Sequence, residues 1–181
     1  MELRIKMKTY EAKKFSKPEW LSEKQFSEHI KLYEGYVKKL AEITEKLKSV
    51  KKEDANASYS EFRELKIEEG FCVNAIILHE AYFSALQGRV SGDVREKLIR
   101  EFLGIDNLKQ EILAAGMSAR GWVVLAETPN GLEIFISDMH NQGGIWNSKM
   151  LLVLDMYEHA FFMDFGTNKK AYIEKFIENT L

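Results

Sequence analysis

Apolar residues along this chain change period once, and the change divides it. From Phe26 onward Ile30, Tyr33, Val37, Leu40, Ile43 and Leu47 recur every three or four positions. That spacing puts them on one face of a helix of about seven turns. Pro18 stands upstream as punctuation, and Ser22 offers an N-capping oxygen. Residues 48–57 are polar and charged and fit a turn. Helical spacing resumes over 58–86, where Ala75, Ile76, Ile77 and Leu78 make it richly apolar. Two long helices joined by a short polar turn predict an antiparallel hairpin. Residues 88–92 begin and end on glycine and mark a break, after which 94–102 and 108–115 read as shorter helices.

Strand-like runs then take over. Residues 121–125 and 132–136 are rich in β-formers and flank Thr128-Pro129-Asn130-Gly131, a hairpin signal. Residues 150–154 form a third candidate strand, and 169–179 return to helical spacing. The predicted fold class is α+β: a long N-terminal helical hairpin, then an α+β domain with a small three-stranded antiparallel sheet. The domain division expected is 1–88 and 89–181.

Composition narrows the function. Hydrophobic residues make up 45% and aromatics 12% of 181 residues, enough for a packed core. The 26 basic and 28 acidic side chains nearly balance, which argues against a nucleic-acid partner. Cys72 is the single cysteine, so neither an intramolecular disulfide nor a cysteine-based metal site can form. Its apolar neighbours Phe71 and Val73 predict a buried, inert thiol. Residues 1–14 are charged and lack an apolar core, and no run approaches the roughly 20 apolar residues of a membrane span. The expectation is a soluble cytoplasmic protein with no membrane partner.

Four histidines occur: His29, His79, His140 and His159. His79 follows Ala75-Ile76-Ile77-Leu78 on a helix expected to be buried, where an imidazole needs a hydrogen bond or a metal. Asp155 emerges from the apolar run Leu151-Leu152-Val153-Leu154, with His159 four residues on. Two readings compete there. Asp155 caps a helix with His159 one turn later, or the pair ligates one ion, for which nitrogen and oxygen donors suit iron, manganese or zinc.

Asp155-Met156-Tyr157-Glu158-His159-Ala160-Phe161 resembles the D-x-W-E-H-A-[YF] signature of the iron/manganese superoxide dismutases, with Tyr157 in place of tryptophan. His79-Glu80-Ala81-Tyr82-Phe83 is similar to the family's second-histidine helix, and Phe102 through Gly121-Trp122 and Leu125 to its connecting helices and first strand. His29 ahead of Tyr36-Val37 resembles the first-histidine helix. The resemblance spans about residues 20–181.

The resemblance implies a superoxide dismutase that holds one iron or manganese ion per chain on His29, His79, Asp155 and His159, between the two domains. It implies superoxide as substrate, and dioxygen and hydrogen peroxide as products. Tyr36 then lines the substrate channel, and Glu158 reaches across a homodimer interface to the partner's metal-binding histidine. A residue near the end of the second strand tunes the metal-bound solvent. Anchoring on Leu132 selects His140, which is preferred, whereas an ungapped count from Gly121 selects Gln142.

There are departures. The family's first histidine lies one residue further from the tyrosine, where Glu28 stands here, and a π-bulge is one way to absorb the shift. The family's gateway pair becomes Leu32 and Phe162. Ala75 occupies the position of the iron enzymes' glutamine, while Val153, where manganese enzymes often have glycine, leans toward iron. Two rivals follow: a non-catalytic or repurposed dimeric relative, and an unrelated zinc hydrolase lacking an evident general base.

Overall fold

Ser22 begins the first helix as its spacing predicts: its Oγ accepts from Gln25 N at 3.1 Å and opens α1, Glu23–Ser49. The computed structural model describes residues 10–142 and 147–181. Residues 1–9 of the charged N-terminal segment, and Gly143 and Gly144 of the glycine-rich loop, lie outside them. Helix α2, Glu61–Ala85, starts later than the pattern predicts. Asn56 Oδ1 accepts from Ser58 N and Tyr59 N, folding 56–59 into a turn before Ser60 caps the helix through Arg63 N. His29 meets Phe83 while Tyr36 meets Phe71, so α1 and α2 run antiparallel.

Helix α1 is α-helical throughout, without a π-bulge. None is needed. Seven residues at about 100° each turn about 700°, within 20° of two full turns, so His29 and Tyr36 already share a face. Glu28 points off that face and pairs with Lys31 at 2.6 Å.

Helices α3 (Gly92–Glu101) and α4 (Ile105–Ser118) are separated by Phe102, Leu103 and Gly104, the last two at positive φ. The sheet has order β2-β1-β3, all antiparallel, from β1 (Trp122–Thr128), β2 (Gly131–Ser137) and β3 (Lys149–Asp155). Pro129 and Asn130 form the two-residue corner between β1 and β2. Trp122 sits opposite both Ser137 and Asp155, so one row across the sheet ends at the candidate site. A 3-10 turn (Glu158–Ala160), the short α5 (Phe162–Phe165) and α6 (Lys169–Thr180) complete the chain.

The core joins both parts: Tyr33, Tyr82 and Phe83 from the hairpin pack with Trp122, Tyr172 and Phe176 from the α+β unit, all fully buried. Cys72 is buried and unpaired with any other cysteine. Among the described residues no helix is long and apolar enough to cross a membrane.

Candidate metal centre

Four elements bring one donor each to a common point. Helix α1 contributes His29, α2 His79, the end of β3 Asp155, and the 3-10 turn His159. Asp155 Oδ2 lies 3.2 Å from His29 Nε2, 3.9 Å from His79 Nε2 and 3.3 Å from His159 Nε2. One ligand atom from each residue falls within 4.8 Å of all the others. His29 is 2% exposed, and His79 and Asp155 are 0% exposed. These same four atoms are buried without a hydrogen-bond partner among the described residues. Leaving one such group unpaired costs about 1–3 kcal/mol. Four converging imidazole and carboxylate atoms therefore fit a hard-to-borderline cation.

Neighbouring groups orient the donors. His79 Nδ1–H donates to the carbonyl of Ala75 at 2.7 Å, which leaves the Nε2 lone pair facing the cluster. Asp155 Oδ1 accepts from Tyr157 N at 2.9 Å, and the Asp155 carbonyl accepts from the Tyr172 hydroxyl at 2.8 Å. Asp155 therefore closes a turn off a strand end and is not a helix cap; Tyr157 precedes the 3-10 turn, which has no side-chain cap. His159 is held from both sides. The Tyr157 ring stacks on it at 5.3 Å and 12°, and its backbone carbonyl accepts from Gln25 Nε2.

Burial pushes the His79 pKa down to about 3 and that of His29 below its ordinary value, so both imidazoles are neutral donors. Burial by itself would raise the Asp155 pKa; the facing imidazoles of His159 and His29 outweigh it and hold the carboxyl below its usual range. Burial also lowers His140 to about 4 and raises the Tyr36 hydroxyl.

The other sequence-predicted residues divide. His140 is buried beside the cluster, its ring 5.8 Å from that of His79, and its Nε2 is 3.0 Å from the Tyr36 hydroxyl. Gln142 is not brought to the site. Ser137 Oγ bonds the carbonyls of Met139 and Gln142, curling the chain so that His140 turns inward and Gln142 stays exposed. Glu158 is exposed and lines a surface cavity with Arg120, His159 and Phe162. Leu32 and Phe162 are both largely exposed.

Sequence reasoning missed two buried partners. Gln25 clamps the turn that carries His159, and the only signal was a polar residue one helical turn before His29. Trp122, read only as strand, donates from Nε1 to His140 Nδ1 at 3.0 Å.

Comparison with known proteins points to one family. The family model described as iron/manganese superoxide dismutases, C-terminal domain, matches residues 90–180. The chain is 37% identical to a protein of Aquifex pyrophilus named as an iron superoxide dismutase, over 89% of this chain and 80% of that one. A protein of the same name from Aquifex aeolicus is 36% identical over the same shares. A protein of Halobacterium salinarum named as a manganese superoxide dismutase is 28% identical over 56% of this chain and 54% of its own.

Proposed function

This chain belongs to the iron/manganese superoxide dismutase family, and from that premise we propose that it converts superoxide to dioxygen and hydrogen peroxide at a single metal ion held by His29, His79, Asp155 and His159. The observation that carries the ligand set is the convergence of four buried, unpartnered donor atoms. Bound there, iron or manganese supplies the one-electron oxidation and reduction that dismutation requires. The chain's residues do the rest. Three neutral imidazoles and one carboxylate offset only a single positive charge, so the centre attracts an anion. Each turnover of two superoxides consumes two protons, and the Tyr36–His140 pair lies beside His79 as a proton path. Burial keeps the Tyr36 hydroxyl protonated, ready to donate.

The two parts of the chain share the work: 1–88 supplies His29 and His79, and 89–181 supplies Asp155 and His159. The centre is complete only when hairpin and α+β unit pack together. Iron is the preferred metal. Val153 leans that way, although Ala75 replaces the iron enzymes' glutamine, and the relatives named for iron match most of the chain while the relative from Halobacterium named for manganese matches about half. The exposed Glu158 beside His159 supports a homodimer in which that carboxylate reaches the partner's site. A non-catalytic relative, supported by the His29 spacing and the replaced gateway pair, is not favoured, because that spacing leaves His29 Nε2 within 4.8 Å of the other donors.

Metal analysis of the purified chain, with superoxide consumption measured after loading with iron or with manganese, tests the proposal. About one iron or manganese per chain with activity is expected, following the open-site logic of metal-ion catalysis. Full loading without superoxide consumption would overturn it.

A further inference from the structure

The backbone carbonyl of Asp155 faces away from the sheet. Met156 N donates to the carbonyl of Gly121, so residues 121 and 156 form a hydrogen-bonded pair. Alternation along an antiparallel ladder then makes Trp122 and Asp155 a pair whose N–H and C=O groups point away from each other. β3 is an edge strand in the order β2-β1-β3, so no strand stands on the outer side of Asp155. The residue is fully buried, and its carbonyl needs a donor. Tyr172 on α6 supplies one, its hydroxyl donating at 2.8 Å. The hydroxyls of Tyr172 and of Tyr82 on α2 lie 3.1 Å apart. A phenol has one hydrogen and a carbonyl can only accept, so Tyr82 is the donor of this second bond. The bonds run one way, from Tyr82 to Tyr172 to the Asp155 carbonyl.

We propose that Tyr172 is a positioning residue for Asp155: with Tyr82 holding its hydroxyl hydrogen on the carbonyl, it sets where the end of β3 stands against the helical hairpin. The inference rests on the ligand set proposed above. Tyr82 lies about one turn beyond His79 on α2, and its ring packs against that of His29 at 5.2 Å. Tyr172 comes from the start of α6, where Asn168 Oδ1 caps the helix through Ala171 N. The two hydroxyls therefore join the part of the chain that carries His29 and His79 to the part that carries Asp155. The other bond to Asp155, from Tyr157 N to Oδ1, stays within its own turn and fixes nothing relative to the hairpin.

Packing holds both rings in place. Tyr172 stacks on Phe161 at 5.0 Å and 23°, and meets Phe165 at 5.6 Å and Trp20 at 6.2 Å. Tyr82 stacks on Phe176 at 6.2 Å and 10°. Both tyrosines are 0% exposed, so no bulk water reaches either hydroxyl to take over a lost bond. Burial raises both hydroxyls above their ordinary pKa, and both keep their hydrogens. Phenylalanine at either position fills the same space and removes the hydroxyl alone.

Tyr172→Phe, Tyr82→Phe and the double variant of the full chain test this. Each is measured for iron affinity by chelator competition, for unfolding of the metal-stripped chain, and for the EPR signature of bound iron(III). Tyr172→Phe leaves the Asp155 carbonyl without a donor, so affinity should fall roughly 10- to 100-fold, as for other groups that orient a ligand, and the EPR rhombicity should shift. Tyr82→Phe leaves the carbonyl bond in place and should lose less affinity. The double variant also removes the Tyr82 hydroxyl that Tyr172→Phe orphans. Its metal-free stability should therefore recover in part, while affinity and EPR stay shifted. A merely structural role would return stability and affinity together. Wild-type affinity and EPR in Tyr172→Phe, or in the double variant should the single one not fold, overturns the proposal. A greater loss in Tyr82→Phe than in Tyr172→Phe overturns it too. A folded wild type that binds neither iron nor manganese sinks the metal-site reading itself, whereas a wild type that loads fully beside variants that match it sinks this inference alone.

Discussion

Gln25 on α1 donates from Nε2 to the backbone carbonyl of His159 and accepts from Met163 N at 3.0 Å, so one buried amide spans both ends of the turn that carries a candidate ligand. Gln25→Ala removes both bonds and leaves the His159 carbonyl without its donor. The expected loss is about 1–3 kcal/mol of stability, with metal affinity down roughly 10- to 100-fold, as for other groups that orient a ligand. Thermal unfolding and chelator competition measure the two. Gln25→Glu keeps the acceptor but sets a carboxylate against the carbonyl, and should restore neither.

Glu28 and His29 compete in sequence for one role, and helix phase separates them. His29 points at Asp155 while Glu28 forms a surface pair with Lys31. His29→Ala should abolish metal retention and superoxide consumption. Glu28→Ala should leave metal per chain and activity unchanged and shift stability by only about 0.5 kcal/mol, the worth of an exposed helix pair. Metal analysis of the two variants decides it; equal losses would overturn the assignment.

Much of this was legible where side-chain chemistry is local. Buried His79 and Asp155 announce themselves, because each follows an apolar run that a polar group enters only with a partner. The strands were legible at their apolar centres but not at their ends. β1 continues through Glu127 and Thr128, which the ladder pairs with Leu132 and Gly131 although neither residue is apolar. The start of α4 at Ile105 was hidden, because it depends on the positive φ of Leu103 and Gly104. Contacts closed by a turn were not legible at all. Whether His140 or Gln142 faces inward depends on Ser137 bonding two carbonyls, and the Trp122–His140 bond crosses that same turn.

Asp155→Asn separates stability from metal binding. The amide keeps an oxygen for Tyr157 N but gives up the negative charge that the facing His159 and His29 imidazoles favour in the fold. The metal-free variant should therefore unfold at a lower temperature than the metal-free wild type at neutral pH. Added iron or manganese should stabilise the wild type, by about 2.7 kcal/mol at a hundredfold excess over Kd, and the variant hardly at all. Unfolding with and without metal tests both halves, and an equal or higher midpoint for the metal-free variant would overturn the first.

The buried histidines make the metal-free fold acid-sensitive. Burial takes His79 from 6.5 to about 3 and lowers His29, so both stay neutral in the folded chain at pH values where the unfolded chain protonates them. Below 6.5 the unfolded state binds more protons, so this stability is present above 6.5 and is lost as pH falls. The slope approaches about 1.4 kcal/mol per pH unit for each histidine, or about 3 for the pair. The depressed Asp155 carboxyl adds a loss of the same sign at lower pH. Urea unfolding of the chelator-stripped chain at pH 7, 6 and 5 should show the midpoint falling, and a flat profile would contradict neutral burial.

Gly121 permits a close approach that the site depends on. A Cβ there would strike the backbone carbonyl of Ser137, at a distance no real Cβ adopts, and would press on Asp138 as well. The obstacle is backbone on both counts, so no side chain can swing aside. Gly121 also accepts from Met156 N at 2.6 Å, next to Asp155, and precedes Trp122. Gly121→Ala should therefore push the 137–140 turn away from β1, at about 1–3 kcal/mol for overpacking, and stretch the Trp122–His140 bond. Superoxide consumption per bound metal should fall while metal content holds, since none of the four donors lies on that turn. Loss of metal in step with activity would show instead that the strain is relieved through Met156 and Asp155.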